Sequence, residues 1–279
     1  MLMEEAQYTA ISGSISYSKR KAIGLANRLP DFRLLDRLKS PRQPSTIVSS
    51  SADSTPSSSS STTTMAISIE DHQLPYNTHN LYDVNFFDDK IHTLVTHTPS
   101  FVNTWIAETQ QKLHQNNNPA DHPLLVGLDI EWRPNRTRQM ENPVATLQLS
   151  TGKDCLIFQL LHCPTGIPQS LYDFLSNKNY TFVGVGIEGD VEKLVEDYDV
   201  SMGNAVDLRV LAAEKLGAVQ WKNSGLKSLV KEILGKQIEK PKRVTMSRWD
   251  NEWLTGDQVQ YACLDAFLCY KIGENLYAA

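Results

Sequence analysis

The sequence has little of what marks a membrane-spanning or secreted protein. No stretch of its 279 residues approaches the roughly 18 to 20 consecutive apolar residues that a membrane helix needs. No secretory signal segment opens the chain. We therefore expect a soluble protein that is not secreted and does not associate with a membrane.

Cysteine and positive charge are also scarce. The four cysteines form no C-x-x-C pair and show no metal-ligand spacing with histidines, so we expect buried thiols in a reducing compartment. Lys and Arg together number 27 against 32 Asp and Glu, which gives a net charge of -5. This balance excludes a generally polycationic surface for nucleic acid but leaves room for a local basic patch.

The composition of the chain changes near residue 70. Residues 44–64 are almost wholly Ser and Thr, so they bury too little apolar surface to offset the entropy of ordering. We predict a disordered extension over residues 1–70, with Met65 as a candidate alternative start. Residues 18–42 are basic and weakly amphipathic, which fits a nuclear-import patch or an organelle transit segment, although the extension is more acidic than such a segment normally is.

From about residue 76 the pattern changes to strands that alternate with helices. Strand-like runs cover residues 81–89, 90–98, 123–132, 143–152, 154–160, 181–186 and 204–208. Helical runs cover residues 99–115, 170–176 and 187–198, and a helix-rich remainder follows. Three successive strands followed by a strand-helix alternation predict an α/β fold, with a mixed sheet and covering helices in one domain over residues 76–279.

A dinucleotide-binding pattern also occurs in this region, because GVGIEG at residues 184–189 satisfies G-x-G-x-x-G. Asp207 lies about twenty residues on, where a Rossmann oxidoreductase places its ribose-binding carboxylate. However, Asp190 puts a negative charge at the helix N-terminus that should receive a pyrophosphate. The motif also follows the fourth core strand, whereas the fingerprint belongs after the first. We therefore expect no nicotinamide cofactor.

Two acids within an apolar strand are the sharpest chemical feature. In LDIEW, Asp129 and Glu131 share one face of the strand because side chains alternate with period two. Two such carboxylates repel each other and lose hydration, and a cation between them would offset both costs. The alternative is an exposed edge strand with solvated acids.

Two further acids complete a candidate set. Asp265 interrupts an apolar stripe of the C-terminal helix, with Tyr261 one turn before it on the same face. A plain Tyr-Asp hydrogen bond is the alternative for this pair. Asp190 follows the strand at residues 181–186. The alternative role for this residue is that of an acid in the first turn of a helix, where the helix dipole favours a negative charge.

Taken together, these stretches resemble the DEDDy family of 3′-5′ exonucleases, and within it the Werner syndrome-type exonuclease domain. The similarity spans about residues 78–277 and rests on GLDIEWRP, ATLQLST, VGVGIEGDVEKL, GLKSLVKEILGKQ and SRWDNEWLTGDQVQYACLDA. The family motifs D-x-E, the second-motif Asp and Y-x-x-x-D fall on Asp129, Glu131, Asp190, Tyr261 and Asp265. A Gln at position 260 excludes the related variant that carries a histidine there.

The resemblance implies a ribonuclease H-like fold, a mixed five-stranded sheet flanked by helices. It also implies two divalent ions, Mg²⁺ or Mn²⁺, which suit hard oxygen ligands. Asp129 would bridge both ions, Glu131 and Asp265 would complete the first, and Asp190 would hold the second mainly through water. Tyr261 would orient the attacking water. The implied reaction releases nucleoside 5′-monophosphates one by one from DNA 3′ ends.

A basic stretch provides the candidates for substrate binding. Residues 222–248 carry eight cations in an otherwise acidic chain, which is consistent with local phosphate contact. From this set, which includes Lys240, we predict substrate contacts by Lys222, Lys227, Arg243 and Arg248. The alternative is a solvated helix face with a basic loop.

The resemblance further implies a nuclear protein, with the cytoplasm or an organelle as alternatives, and the Ku heterodimer as a partner, although no stretch identifies a Ku motif. No P-loop occurs, so we expect a standalone form without a helicase. Two other functions remain open at the level of sequence. One is RNA 3′-end processing of the ribonuclease D type, and the other is a catalytically idle nucleic-acid-binding module.

Overall fold

The computed structural model describes residues 66–116, 123–137 and 140–279. The predicted disorder upstream of residue 66 lies outside these described residues. The predicted boundary is wrong at its edge, because the first strand, β1 (Ile67–Asp71), begins inside the range 1–70 that we assigned to the extension. It pairs antiparallel with the second strand through Ile67 and Phe86. The folded region therefore begins before residue 76.

The order of elements follows the sequence pattern closely. The other strands are β2 (His79–Phe86), β3 (Asp89–Thr96), β4 (Leu124–Trp132), β5 (Val144–Ser150), β6 (Asp154–Phe158), β7 (Tyr180–Gly184) and β8 (Ala205–Asp207). The helices are α1 (Pro99–Asn116), α2 (Gln169–Ser176), α3 (Ile187–Tyr198), α4 (Leu208–Lys215), α5 (Leu226–Leu234), α6 (Lys242–Thr245) and α7 (Gly256–Ala278).

The strands form one mixed sheet in the order β1-β2-β3-β6-β5-β4-β7-β8. An α/β fold with a mixed sheet and flanking helices is therefore confirmed, but within the described residues the sheet has eight strands where we expected five. The five-stranded part is the continuous run from β6 to β8, in which β4 pairs antiparallel with β5 and parallel with β7. The additional strands join because β3 pairs parallel with β6 and brings β1 and β2 with it.

Helix α7 packs against the centre of this sheet. A capping box between Thr255 and Gln258 fixes its N-terminus. The helix backbone approaches β4 at Gly127, where an added Cβ would lie 2.0 Å from the carbonyl oxygen of Ala266. Buried residues lie on more than one side of the helix, as Cys263 and Asp265 illustrate. Gly127 therefore determines how close α7 comes to the strand that carries the first two acids.

The four cysteines are free thiols. Cys155, Cys263 and Cys269 are buried as expected, whereas Cys163 is only partly buried, because it lies in the loop after β6. No helix in the part of the chain that the structure describes combines the length and apolar character that crossing a bilayer requires.

Candidate active site

Strand β4 presents the first two acids at the middle of the sheet. Leu128 and Ile130 are 0% and 3% exposed, whereas Asp129 and Glu131, between and after them, are half-buried. The alternation predicted for LDIEW is therefore present. A register shift follows between Glu131 and Trp132, so the regular pairing with β5 ends just after the second acid.

Asp265 on α7 meets these two acids from the facing layer. Asp129, Glu131 and Asp265 each offer a carboxylate oxygen, and these oxygens all lie within 4.8 Å of one another. Burial and mutual repulsion raise the pKa of Asp129 well above its ordinary value and raise the pKa of Glu131 to about 8. Three hard oxygen donors at this spacing could hold a metal ion, and they suit Mg²⁺ or Mn²⁺. We call these three residues the carboxylate group.

Asp190 lies beside the carboxylate group rather than within it. It occupies the first turn of α3, and burial, followed by the charge of Asp207, raises its pKa to about 7. Its own charge contributes to the raised pKa values of Asp129 and Glu131. The structure thus places Asp190 near the group but not among the three closest carboxylates, and its predicted water-mediated role stays a prediction.

Tyr261 lies one helical turn before Asp265, as predicted, and its hydroxyl lowers the pKa of that carboxylate, which places the two groups close together. The ring packs against the fully buried Trp249, with ring centroids 5.9 Å apart. Burial, and then the negative charge of Asp265, raise the pKa of Tyr261 above its ordinary value. The hydroxyl therefore stays protonated at neutral pH and can act as a hydrogen-bond donor.

A lysine side chain also places a positive charge in the site. Lys240 Nζ donates a hydrogen bond to Asp265 Oδ2 at 2.6 Å and lies 4.9 Å from the centroid of the Tyr261 ring. Burial would lower the pKa of Lys240, but the charges of Asp265 and Asp129 raise it above its ordinary value. From the sequence, Lys240 is only one of the eight basic residues in its stretch. Its segment has no helical or strand period, so nothing in the sequence indicated that it reaches Asp265.

Two polar residues of β5 were missed entirely. In the strand register, Gln148 stands opposite Asp129 and Thr146 stands opposite Glu131, so their side chains share a face with the acids. Gln148 Nε2 donates to Thr146 Oγ1 at 2.6 Å, and Gln148 Oε1 is buried with no partner in the described structure. In the sequence they are a Thr and a Gln in an apolar run, which resembles an ordinary core strand.

The four predicted substrate-binding residues are dispersed. Lys222 is exposed in a short 3₁₀ turn. Lys227 pairs with Glu239, Arg243 with Asp257, and Arg248 with Asp250, all by ion pairs near the surface. Of these four, only Arg243 lines the pocket of about 280 Å³ that contains Lys240, Tyr261 and Asp265.

The G-x-G-x-x-G stretch has a structural role in this fold. Gly186 adopts a left-handed conformation with φ of 81° and donates its backbone N–H to Asp207. Asp207 is 6% exposed, caps α4 and forms an ion pair with Arg209. The acid at the spacing of a ribose-binding carboxylate is thus already engaged within the protein, which argues against a Rossmann oxidoreductase.

Comparison with known proteins agrees with this arrangement. A 3′-5′ exonuclease from Arabidopsis thaliana is 38% identical over 158 residues, covering 54% of this chain and 53% of the relative. The bifunctional 3′-5′ exonuclease/ATP-dependent helicase WRN of Mus musculus is 40% identical over 154 residues, covering 54% of this chain but 11% of the relative. The chain thus spans about half of the plant relative and a small part of the mouse protein.

Solved structures support the ribonuclease H-like fold. RNase D of Escherichia coli matches with a TM-score of 0.52 and 20% identity, covering 66% of this chain and 44% of that one. The catalytic core of RRP6 from Trypanosoma brucei matches with a TM-score of 0.53 and 17% identity, covering 66% and 46%. A family model described as 3′-5′ exonuclease matches residues 103–278, which is more than half of the sequence. The chain therefore belongs to the 3′-5′ exonuclease family.

Proposed function

We propose that this protein is a metal-dependent 3′-5′ exonuclease that removes nucleoside 5′-monophosphates from DNA 3′ ends. The observation that carries the proposal is the carboxylate group, in which oxygens of Asp129, Glu131 and Asp265 lie within 4.8 Å of one another. Acids this close repel one another in a half-buried site, and divalent cations offset that repulsion. Asp190 and Tyr261 stand beside the group, so all five predicted catalytic residues border one region.

Each residue of the site would have a role that follows from its chemistry. Two bound Mg²⁺ or Mn²⁺ ions would supply an activated water and stabilise the leaving 3′ oxygen. Asp129, Glu131 and Asp265 would hold these ions directly, and Asp190 would do so mainly through water. The Tyr261 hydroxyl, which stays protonated, would orient the attacking water from its position against Asp265. Arg243 and Lys240, which line the same pocket, would contact the phosphates of the substrate.

DNA is the proposed substrate because the motifs resemble the Werner syndrome-type domain and because the mouse exonuclease/helicase WRN is 40% identical in the matched region. The fold itself does not separate DNA from RNA, since the RNase D neighbour is described as an exoribonuclease involved in structured RNA processing. The nuclear location and the Ku partner stay predictions.

The test is digestion of a 5′-labelled duplex with a recessed 3′ end, run beside an RNA duplex of matched sequence. We expect a ladder of shortened DNA products in Mg²⁺ or Mn²⁺ and none in EDTA. Asp129→Ala serves as the control for a contaminating nuclease, because it removes a central ligand. Absence of digestion would contradict the proposed activity, and faster digestion of the RNA would assign the enzyme to RNA processing.

A further inference from the structure

Lys240 is carried into the carboxylate group by the segment between α5 and α6. In this segment Ile238 is 4% exposed and anchors the backbone, and Pro241 begins the turn into α6. The Lys240 side chain is 31% exposed, whereas its partner Asp265 is 5% exposed. The lysine therefore reaches from the pocket wall toward a carboxylate at the base of the site.

The charge of Lys240 acts on the whole carboxylate group. It lowers the pKa of Asp129, Glu131 and Asp265, opposing the increase that burial and repulsion cause. Asp190 has a different cation near it, Arg209. Lys240 is thus the internal counter-ion of the three clustered acids.

This position conflicts with metal binding. The ammonium of Lys240 donates to Asp265 Oδ2 at 2.6 Å, and Asp265 is one of the three candidate ligands. A divalent cation within the carboxylate group would stand a few ångströms from that ammonium, where the repulsion between two cations is strong. The lysine stem has four rotatable carbons, so the ammonium can leave while Ile238 keeps the backbone in place.

We propose that Lys240 is a tethered counter-ion that exchanges with the metal: a divalent cation displaces its ammonium from Asp265, and the released ammonium then contacts a backbone phosphate of the substrate. The contact between the released ammonium and a phosphate is inferred from the pocket, because Lys240 and Arg243 both line this pocket beside Asp265. The exchange partly offsets the negative charge of the acids before the metal arrives and supplies a cation to the nucleic acid afterwards. This inference rests on the proposed function.

The test measures Mn²⁺ binding to the full chain by isothermal titration calorimetry for wild type, Lys240→Met and Lys240→Gln. Lys90→Met is the matched control, because Lys90 donates to a buried carboxylate of Asp83 at 2.8 Å in the β2–β3 hairpin, outside the site. Removing the competing charge should tighten Mn²⁺ binding about tenfold in both Lys240 variants. Lys90→Met should bind Mn²⁺ as wild type does.

A second readout follows turnover of the recessed DNA duplex at saturating Mn²⁺. Loss of a phosphate contact should raise KM several-fold in the Lys240 variants while kcat changes less than about twofold. Unchanged or weaker Mn²⁺ binding in both variants would overturn the exchange, and an unchanged KM would overturn the phosphate contact. If wild type neither binds Mn²⁺ nor digests DNA, the proposed function itself fails. If wild type does both and the variants do not differ from it, only this inference fails.

Discussion

The ionised acidic side chains of the site should destabilise the folded protein when no cation neutralises their charge. Burial, and then repulsion from Asp265, raise the pKa of Glu131 from 4.5 to about 8. Between these values the folded protein binds more protons than the unfolded chain, so the free energy of unfolding falls as pH rises through this window. We expect this decrease in urea unfolding in EDTA, levelling above about pH 8.

The control for this pH dependence is Glu131→Gln, which removes the titrating group and should make the slope shallower. Saturating Mg²⁺ should also reduce the slope, because the metal favours the deprotonated acids. Stability that increases with pH across the same window would contradict the assignment.

Asp129→Ala should abolish nuclease activity, because Asp129 offers one of the three clustered carboxylate oxygens and the charges of both other members act on it. In EDTA the variant should be as stable as wild type or more stable, since one source of repulsion is gone. Single-turnover assays and melting temperatures, measured on one preparation, check the expected loss of activity and the expected stability. Retention of even a tenth of the wild-type rate would remove Asp129 from the site.

Tyr261→Phe distinguishes a catalytic role of the hydroxyl from a structural role of the packed ring. The substitution keeps the contact with Trp249 and deletes only the hydroxyl oxygen, which interacts with the carboxylate of Asp265. We expect the rate to fall by about 10² or more, and the free energy of unfolding to change by no more than about 1 kcal/mol. A structural tyrosine would give the opposite result, a loss of stability with the rate almost intact.

At the scale of elements, the contact between α7 and β4 determines the geometry of the site. Gly127→Ala places a Cβ 2.0 Å from the Ala266 carbonyl oxygen, so α7 must shift. We expect a loss of about 1 to 3 kcal/mol in stability, as for other overpacked contacts, together with weakened metal binding. Gly189→Ala is the control, because an added Cβ there meets nothing within 4 Å. Equal stability of the two variants in urea would show that the contact is not tight.

Elements with a local period could be predicted from the sequence, whereas contacts between distant segments could not. Helix α3 runs over residues 187–198 as predicted, because its apolar spacing and its acidic first turn are local signals. The face shared by Asp129 and Glu131 follows from strand alternation in the same way. Lys240 reaches Asp265 through an irregular segment, and Gln148 meets Asp129 across a strand pair, so neither contact leaves a pattern in the sequence.

At the scale of the whole molecule, the number of strands depends on pairing that no local pattern reveals. The runs that become β2 and β3 were recognised as strands, but the parallel pairing of β3 with β6 joins segments far apart in the chain. Strand β1 is short and half polar, so it was assigned to the extension. The fold class could thus be predicted, but the full extent of the sheet could not.

The corrected boundary can be tested by two truncations of the full chain. Removal of residues 1–64 keeps β1, so we expect nearly unchanged specific activity on DNA. Removal of residues 1–75 also deletes Ile67, which lines the pocket with Lys240 and Asp265. This second form should melt at a lower temperature and turn over DNA more slowly. Equal behaviour of the two truncated proteins would show that β1 contributes nothing to the site.

The division of the carboxylate group between β4 and α7 has a consequence for synthesis of the chain. Asp129 and Glu131 leave the ribosome long before Asp265, which lies much later in the sequence on α7. A chain that stalls or is cleaved before α7 lacks both the third ligand and Tyr261. Under the proposed function, hydrolysis therefore requires α7 as well as β4, and a chain that lacks α7 should not degrade nucleic acid.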